Sequence, residues 1–153
     1  MQTILVASDA PTLRREIEAV ISGPDIEVAT VTTGPEVVSF VAGESPDLVI
    51  VDMQMGNMGG MAVCLELRLQ ESYDAIDHIP VLMLLDRRPD VFLARRSGAE
   101  GWLVKPLDPM RIRRATKALV DGATYHDESF QPVPLRVAGP DEPVTVASTP
   151  SGA

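Results

Sequence analysis

The fold is indicated most clearly by residues 48–60, LVIVDMQMGNMGG. This stretch opens with four aliphatic residues, reaches a carboxylate at Asp52 and ends in a glycine pair before a helix-like pattern. A short run that is apolar throughout is typical of a strand buried on both faces of a parallel sheet. Because chemistry in such sheets gathers at the carboxyl edge, Asp52 is a candidate functional residue.

Similar short runs recur along the chain and alternate with segments whose apolar residues return every three or four positions. This alternation predicts repeated βα units around a parallel sheet, in a single three-layer α/β domain. The predicted strands cover residues 3–7, 27–31, 48–51, 81–84 and 101–104. The predicted helices cover residues 11–22, 35–42, 60–73, 89–97 and 109–120.

The charge and the cysteine content of the chain indicate which partners and which cellular compartment to expect. The 153 residues carry a net charge of −9, and such a field repels phosphate backbones, so nucleic acid is not an expected partner. Cys64 is the single cysteine, which excludes an intramolecular disulfide, and its apolar surroundings predict a small core residue. Without a basic leader or a long apolar run, we expect no transmembrane segment and a cytoplasmic protein.

The composition and the hydrophobic periodicity of the chain change after residue 121. Five prolines fall within residues 122–153, and neither the helical nor the strand period persists. We therefore expect a folded domain over residues 1–121 and an extended Pro-rich tail over 122–153, with no output domain. The tail carries apolar residues that are candidates for binding a partner, namely Tyr125, Phe130, Val133, Leu135 and Val137.

Polar side chains follow three of the predicted strands. Asp9 comes after the first strand, Asp52 after the third and Lys105 after the fifth. Two neighbouring carboxylates can bind Mg²⁺. With a lysine beside them, one of the carboxylates can accept a phosphoryl group, because the Mg²⁺ and the ammonium offset the negative charge that develops. We therefore expect Mg²⁺ as a possible cofactor of this edge.

Four segments together resemble the receiver domains of two-component response regulators. They are Ser8-Asp9, the stretch around Asp52, IPVLML at residues 79–84 and GAEGWLVKPLDP at residues 98–109. The resemblance covers about residues 2–121. It implies a flavodoxin-like (βα)₅ fold with a five-stranded parallel sheet in the order 2-1-3-4-5.

The resemblance also implies roles for individual residues. Asp52 matches the family's phospho-acceptor, and Lys105 matches its characteristic lysine. Asp9 matches one of two acidic Mg²⁺ ligands, and Gln54 would add its backbone carbonyl to the metal. Pro106 follows the lysine as in the family, where that peptide bond is often cis.

Three positions depart from the family pattern. Ser8 replaces one carboxylate of the usual acidic pair, which predicts a weakened Mg²⁺ site. Leu85 stands where the family has a Thr or Ser that hydrogen-bonds the phosphoryl group, and a leucine side chain cannot donate. Trp102 stands where many members carry a Tyr or Phe that moves with that hydroxyl. Leu85 and Trp102 are therefore interpreted as degenerate switch positions.

Together these features predict an atypical, stand-alone response regulator whose phosphorylation switch is weakened or lost. Such a protein would act by protein contact, as an adaptor or accessory subunit of a larger multisubunit assembly held through the tail. The alternative is a working single-domain phosphoacceptor in a histidine-kinase phosphorelay, phosphorylated on Asp52. Neither is an enzyme beyond self-phosphorylation and dephosphorylation. A flavodoxin-like enzyme with a bound cofactor is a third interpretation, which the sequence supports least.

Overall fold

The computed structural model describes residues 1–128. Strands and helices alternate along this part of the chain, as the sequence predicts. In chain order they are β1 (Gln2–Ala7), α1 (Pro11–Ile21), β2 (Ile26–Val31), α2 (Gly34–Glu44), β3 (Leu48–Asp52), α3 (Gly60–Ser72), β4 (Val81–Leu85), a 3₁₀ turn (Arg88–Asp90), α4 (Val91–Ser97), β5 (Gly101–Val104), α5 (Pro109–Val120) and β6 (Tyr125–His126).

The strands form one parallel sheet in the order β2-β1-β3-β4-β5-β6. The predicted order 2-1-3-4-5 is confirmed, and β6 extends it by one short strand beside β5. The sheet therefore continues past residue 121, where the sequence predicts that the domain ends. A two-residue strand is too short to give a period in the sequence, so its pairing with β5 depends on distant contacts.

The core lies on both faces of the sheet. Every residue of β3, β4 and β5 is buried, and successive side chains point to opposite faces. One cluster packs between the sheet and α2, α3 and α4, and the other packs under α1 and α5. Cys64 is fully buried in the first cluster, as predicted, and burial raises the pKa of its thiol.

The loop after β3 folds tightly back on the strand that ends at Asp52. The Gly60 N–H donates to the Met53 carbonyl at 3.1 Å. A Cβ on Gly60 would lie 2.7 Å from the carbonyl oxygen of Asp52, closer than van der Waals contact allows. Glycine at the first position of α3 therefore lets the helix begin directly against the end of β3, which fixes the edge of the sheet where the polar residues gather.

Candidate functional site

Asp52 is the last residue of β3, and its carboxylate is buried at the carboxyl edge of the sheet. The Ser8 hydroxyl donates to Asp52 Oδ2 at 2.9 Å, and Lys105 Nζ donates to Oδ1 at 2.9 Å. The backbone N–H of Gln54 also approaches Oδ1, at 3.3 Å. The three donors come from the ends of three different segments, as expected where parallel strands meet one edge.

Lys105 follows β5, and its ammonium is shared between two carboxylates. Nζ lies 2.9 Å from Asp52 and 3.0 Å from Asp86. Burial by itself lowers the pKa of Lys105, but the hydrogen bonds to Asp52 and Asp86 outweigh burial and raise it. The Lys105–Pro106 peptide bond is cis, as the resemblance implies.

Asp86 is a site residue that is not among those predicted from the sequence. It follows β4 directly, at the same edge as Asp52, and its carboxylate is exposed. The available signal was its position: a carboxylate next to a buried strand end, as for Asp52. What the sequence could not give is the direction of its side chain, which reaches across to Lys105.

Asp9 lies at the same edge, exposed to solvent, and accepts a hydrogen bond from the Gly56 N–H at 3.2 Å. Carboxylate and carbonyl oxygens are the ligands that Mg²⁺ prefers, so Asp9, Asp52 and the Gln54 carbonyl fit a magnesium ion in donor type. Ser8 contributes only a hydroxyl, which already donates to Asp52. Within residues 1–128 no group of three or more His, Cys, Asp or Glu side chains is arranged to hold a metal. The chain thus offers a donor set with two carboxylates.

Leu85 is the last residue of β4, and its side chain is fully buried in the core cluster under α3 and α4. Trp102 belongs to the same cluster and is 2% exposed. The side chain at position 85 therefore packs with the core. It offers no hydrogen-bond donor near Asp52.

The indole of Trp102 is covered from the solvent side by residues of β6 and α4. The His126 ring stacks on it with centroids 4.2 Å apart and planes 3° from parallel. The guanidinium of Arg95 lies 5.3 Å from the ring centroid, within range of a cation–π contact. Trp102 is consequently held from two sides in its inward position.

Asp127, which is not among the residues predicted from the sequence, anchors the segment that carries β6. Its carboxylate is buried, accepts from the Val104 N–H at 3.0 Å and forms an ion pair with Arg111. Arg111 also binds Asp108 and the carbonyl of Pro106, so the anchor connects with the loop that follows Lys105. Burial lowers the pKa of Arg111, but its two carboxylate partners raise it overall.

The predicted partner-binding residues divide between two parts of the chain. Tyr125 begins β6 and packs, half-buried, against the core cluster under α5. Phe130, Val133, Leu135 and Val137 lie outside the described residues.

This arrangement agrees with the comparison to known protein families. The model of the response regulator receiver domain matches residues 4–117, which is most of the chain. The chain belongs to this family. It is the receiver domain of a two-component response regulator, with the flavodoxin-like α/β fold of its relatives.

Curated relatives and solved structures place the receiver domain among signalling proteins. It is 32% identical over 130 residues to the response regulator PleD of Caulobacter vibrioides, covering 84% of this chain and 28% of that protein. It is 30% identical over 133 residues to the nitrate/nitrite response regulator protein NarL of Escherichia coli, covering 86% and 60%. The chain therefore spans 28% and 60% of the lengths of these two relatives.

Two solved structures have the same fold. The signal receiver domain of a signal transduction histidine kinase from Syntrophus aciditrophicus gives a TM-score of 0.72 at 26% identity, covering 91% of this chain and all of that one. The chemotaxis response regulator CheY4 of Vibrio cholerae gives 0.69 at 26% identity, covering 78% and 98%. Among residues 1–128 of this receiver domain, no helix has the length and apolar character needed to cross a membrane.

Proposed function

We propose that this receiver domain keeps an acceptor pocket at Asp52 but passes little of a phosphorylation signal to its outer surface, and acts chiefly by steady contact with a protein assembly. The observation that carries the proposal is Leu85, an aliphatic side chain packed in the core at the end of β4. A modification changes a conformational equilibrium only if it makes different contacts in the two states. At position 85 no hydroxyl is present to make such a contact.

The covered position of Trp102 supports the same proposal. Movement of this side chain would have to break its stack with His126 and its contact with Arg95. It would also disturb β6, which Asp127 holds by a buried ion pair. The face around β5 therefore favours one arrangement regardless of the state of Asp52.

The pocket nevertheless has the groups that phosphoryl acceptance requires. An Asp52 oxygen is the nucleophile, and Lys105 stabilises negative charge that develops on the transferred group. Mg²⁺, when bound by Asp9, Asp52 and the Gln54 carbonyl, would supply further neutralisation. Asp86 opposes this neutralisation, because its carboxylate also forms an ion pair with the Lys105 ammonium. Acceptance should therefore be slow, and Mg²⁺ affinity low.

Intact-mass spectrometry and tryptophan fluorescence test the two halves of the proposal together. The chain is mixed with Mg²⁺ and acetyl phosphate, with Asp52→Asn as the control that cannot accept. We expect slow and partial gain of one phosphate, with no change in the fluorescence of Trp102, the single tryptophan. Rapid stoichiometric gain accompanied by a fluorescence change would overturn the proposal.

A second candidate function is a working phosphoacceptor that receives its phosphoryl group from a histidine kinase. The buried Asp52–Lys105 pair favours it, because the acceptor and its cation are already 2.9 Å apart. This candidate predicts rapid mass gain and a Mg²⁺ affinity that Ser8→Asp raises little. The first proposal predicts that Ser8→Asp markedly raises both the rate of mass gain and the Mg²⁺ affinity.

The face beside β6 supports the protein-contact part of the proposal. A cavity of about 480 Å³ lies between α4 and β6, and its lining includes the Trp102–His126 stack. Phe92 on its rim is 73% exposed, a large apolar side chain that a partner would cover. We assign this face, together with the apolar tail residues from Phe130 onwards, to contact with a larger assembly.

Size-exclusion chromatography of native cell extract tests the assembly. The full chain should elute with a large complex, whereas Phe130→Ser with Leu135→Ser should elute as the separate chain. The control is the unfolding free energy, which these two changes should leave unaltered. Co-elution of the doubly substituted chain with the complex would contradict the role of the tail.

A further inference from the structure

A groove between α1 and α5 lies at the opposite end of the sheet from Asp52. It has a volume of about 380 Å³ and reaches Gln2, the first residue of β1, and Ile26, the first residue of β2. The acceptor pocket described above is at the other end of these strands. The groove therefore serves none of the chemistry assigned to Asp52.

The floor of the groove is apolar and only partly covered. Val20 from α1, Ile26 from β2 and Val120 from α5 line it, and all three are half-buried. They pack on the core cluster beneath and turn part of their surface towards the groove. Volumes between about 300 and 1,000 Å³ with apolar walls are typical of small-molecule sites.

Two cations stand on the rim. Arg113 and Lys117 are one helical turn apart on α5, and both line the groove and are exposed. Neither forms an ion pair with any residue of the part of the chain described, although the protein carries a net charge of −9. Asp121, also at the groove, is the one carboxylate in its lining. The rim thus attracts an anion to the mouth of an apolar site.

Thr116 supplies an independent observation. It lies between the two cations on α5, lines the groove and is 7% exposed. Its Oγ1 is the only buried side-chain oxygen or nitrogen among residues 1–128 without a hydrogen-bond partner. Buried polar groups in proteins are nearly always paired, and an unpaired one indicates a missing partner.

We infer that this groove binds a small anionic amphiphile, a molecule with a carboxylate head and a short apolar body. The head would pair with Arg113 and Lys117. On turning towards the groove, the buried Thr116 hydroxyl, which has no acceptor among residues 1–128, would donate a hydrogen bond to the same head. The apolar body would lie on Val20, Ile26 and Val120. The inference is independent of the role proposed for Asp52, since it shares no residue with that site.

A solution NMR titration of the ¹⁵N-labelled full chain tests the site, with sodium octanoate as the probe and octyltrimethylammonium as its cationic match. Octanoate, kept below its micelle concentration, should shift the amides of Ile21, Thr116 and Val120 in a saturable way. The cation should leave them in place. Absence of saturation, or equal shifts from both probes, would overturn the inference.

Three variants separate binding from folding. Arg113→Gln with Lys117→Gln should weaken octanoate binding about tenfold or more, because two charge-assisted hydrogen bonds are lost. Arg114→Gln, an exposed change on the same helix outside the groove, should leave binding unaltered. Thr116→Val should weaken binding several-fold while the unfolding free energy stays the same or rises, since a methyl group replaces an unpaired hydroxyl.

Two further results would refute the inference. Equal weakening by Arg114→Gln would show that the general charge of α5 attracts the probe. If the same amides shift with protein concentration in the absence of octanoate, the groove is a contact between two copies of the chain.

Discussion

Two ion networks lie at opposite edges of the same sheet, and each has one cation shared by two carboxylates. At the carboxyl edge, Lys105 lies between Asp52 and Asp86. At the amino edge, Arg68 lies between Glu71 and Glu100, with N–O distances of 2.6 Å to both. The networks have the same arrangement of charge, but they differ in what else their groups contact.

The Arg68 network is saturated by the backbone. Arg68 donates to the carbonyls of Gly98 and Ile79 besides its two carboxylates. Glu71 accepts from the Ile79 N–H and Glu100 from the Val81 N–H, both within 3.1 Å. The two ring nitrogens of His78 lie 3.0 Å from Glu71 and 2.9 Å from Glu100. Every strong donor and acceptor has a partner in the fold, so this network joins α3, β4 and β5 and is structural.

The Lys105 network keeps capacity for other ligands. Asp52 accepts a single backbone hydrogen bond, from Gln54, and Asp86 accepts only from Lys105 among the described residues. Asp9, at the same edge, accepts a hydrogen bond only from the Gly56 N–H among the described residues. Saturation by the backbone, more than the number of charges, therefore separates a structural ion network from a site for chemistry.

Arg68→Ala should have the largest effect and would test the structural side of this comparison. It leaves two mostly buried carboxylates without their cation and should lower the unfolding free energy by about 2–4 kcal/mol. Urea denaturation measures the change. Arg114→Ala, an exposed change on α5, is the matched control and should lie within about 0.5 kcal/mol of the parent. A loss below 1 kcal/mol for Arg68→Ala would refute the structural assignment.

Asp127→Ala tests the ion pair between Asp127 and Arg111. This pair is buried, like the Arg68 network, and lies next to the loop that follows Lys105. The substitution removes one of the two carboxylate partners of Arg111 and the acceptor of the Val104 N–H, and should lower the unfolding free energy by about 2 kcal/mol. Trp102 should become more accessible as β6 detaches, which acrylamide quenching of its fluorescence measures. Unchanged quenching would show that β6 does not depend on this anchor.

The isosteric pair Glu100→Gln and Asp52→Asn compares the two networks most directly. Glu100→Gln replaces a charge that Arg68 and the backbone both use, so it should cost about 1–2 kcal/mol. Asp52→Asn removes a buried charge while Lys105 keeps Asp86 as its ion-pair partner, so the unfolding free energy should stay the same or rise. Thermal unfolding of both variants checks the order. If Asp52→Asn costs more, the distinction between the networks fails.

The smallest expected effect is a pH dependence of the structural network. Burial raises the pKa of Glu71, but the Ile79 N–H, His78 and Arg68 outweigh it and lower the pKa below the usual 4.5. The stability from this ionised carboxylate is therefore present above pH 4.5 and is lost as pH falls through the lowered value. Glu71→Gln should make the unfolding free energy less dependent on pH in that acidic window, by about 1 kcal/mol or less. An unchanged slope would show that Glu71 titrates alike in both states.

Much of the fold and of the acceptor pocket could be predicted, because buried strands and their terminal polar residues leave local signals. Asp9, Asp52 and Lys105 each follow a recognisable apolar run, and the structure brings all three to one edge. Asp86 carried the same positional signal, but its contact with Lys105 depends on a side-chain direction that no pattern encodes. Asp127 and β6 depend on contacts with Val104 and Arg111, which are distant in sequence.

The short strand β6 forms the last strand of the sheet, beside β5. An exposed strand edge with unpaired N–H and C=O groups can template pairing with another chain and so lead to aggregation. Residues 125–126 pair with the first half of β5, and the Asp127 carboxylate takes the N–H of Val104 near its end. Within residues 1–128, the backbone of β6 and the Asp127 carboxylate thus cover the outer edge of β5, and the strand at that end of the sheet is two residues long.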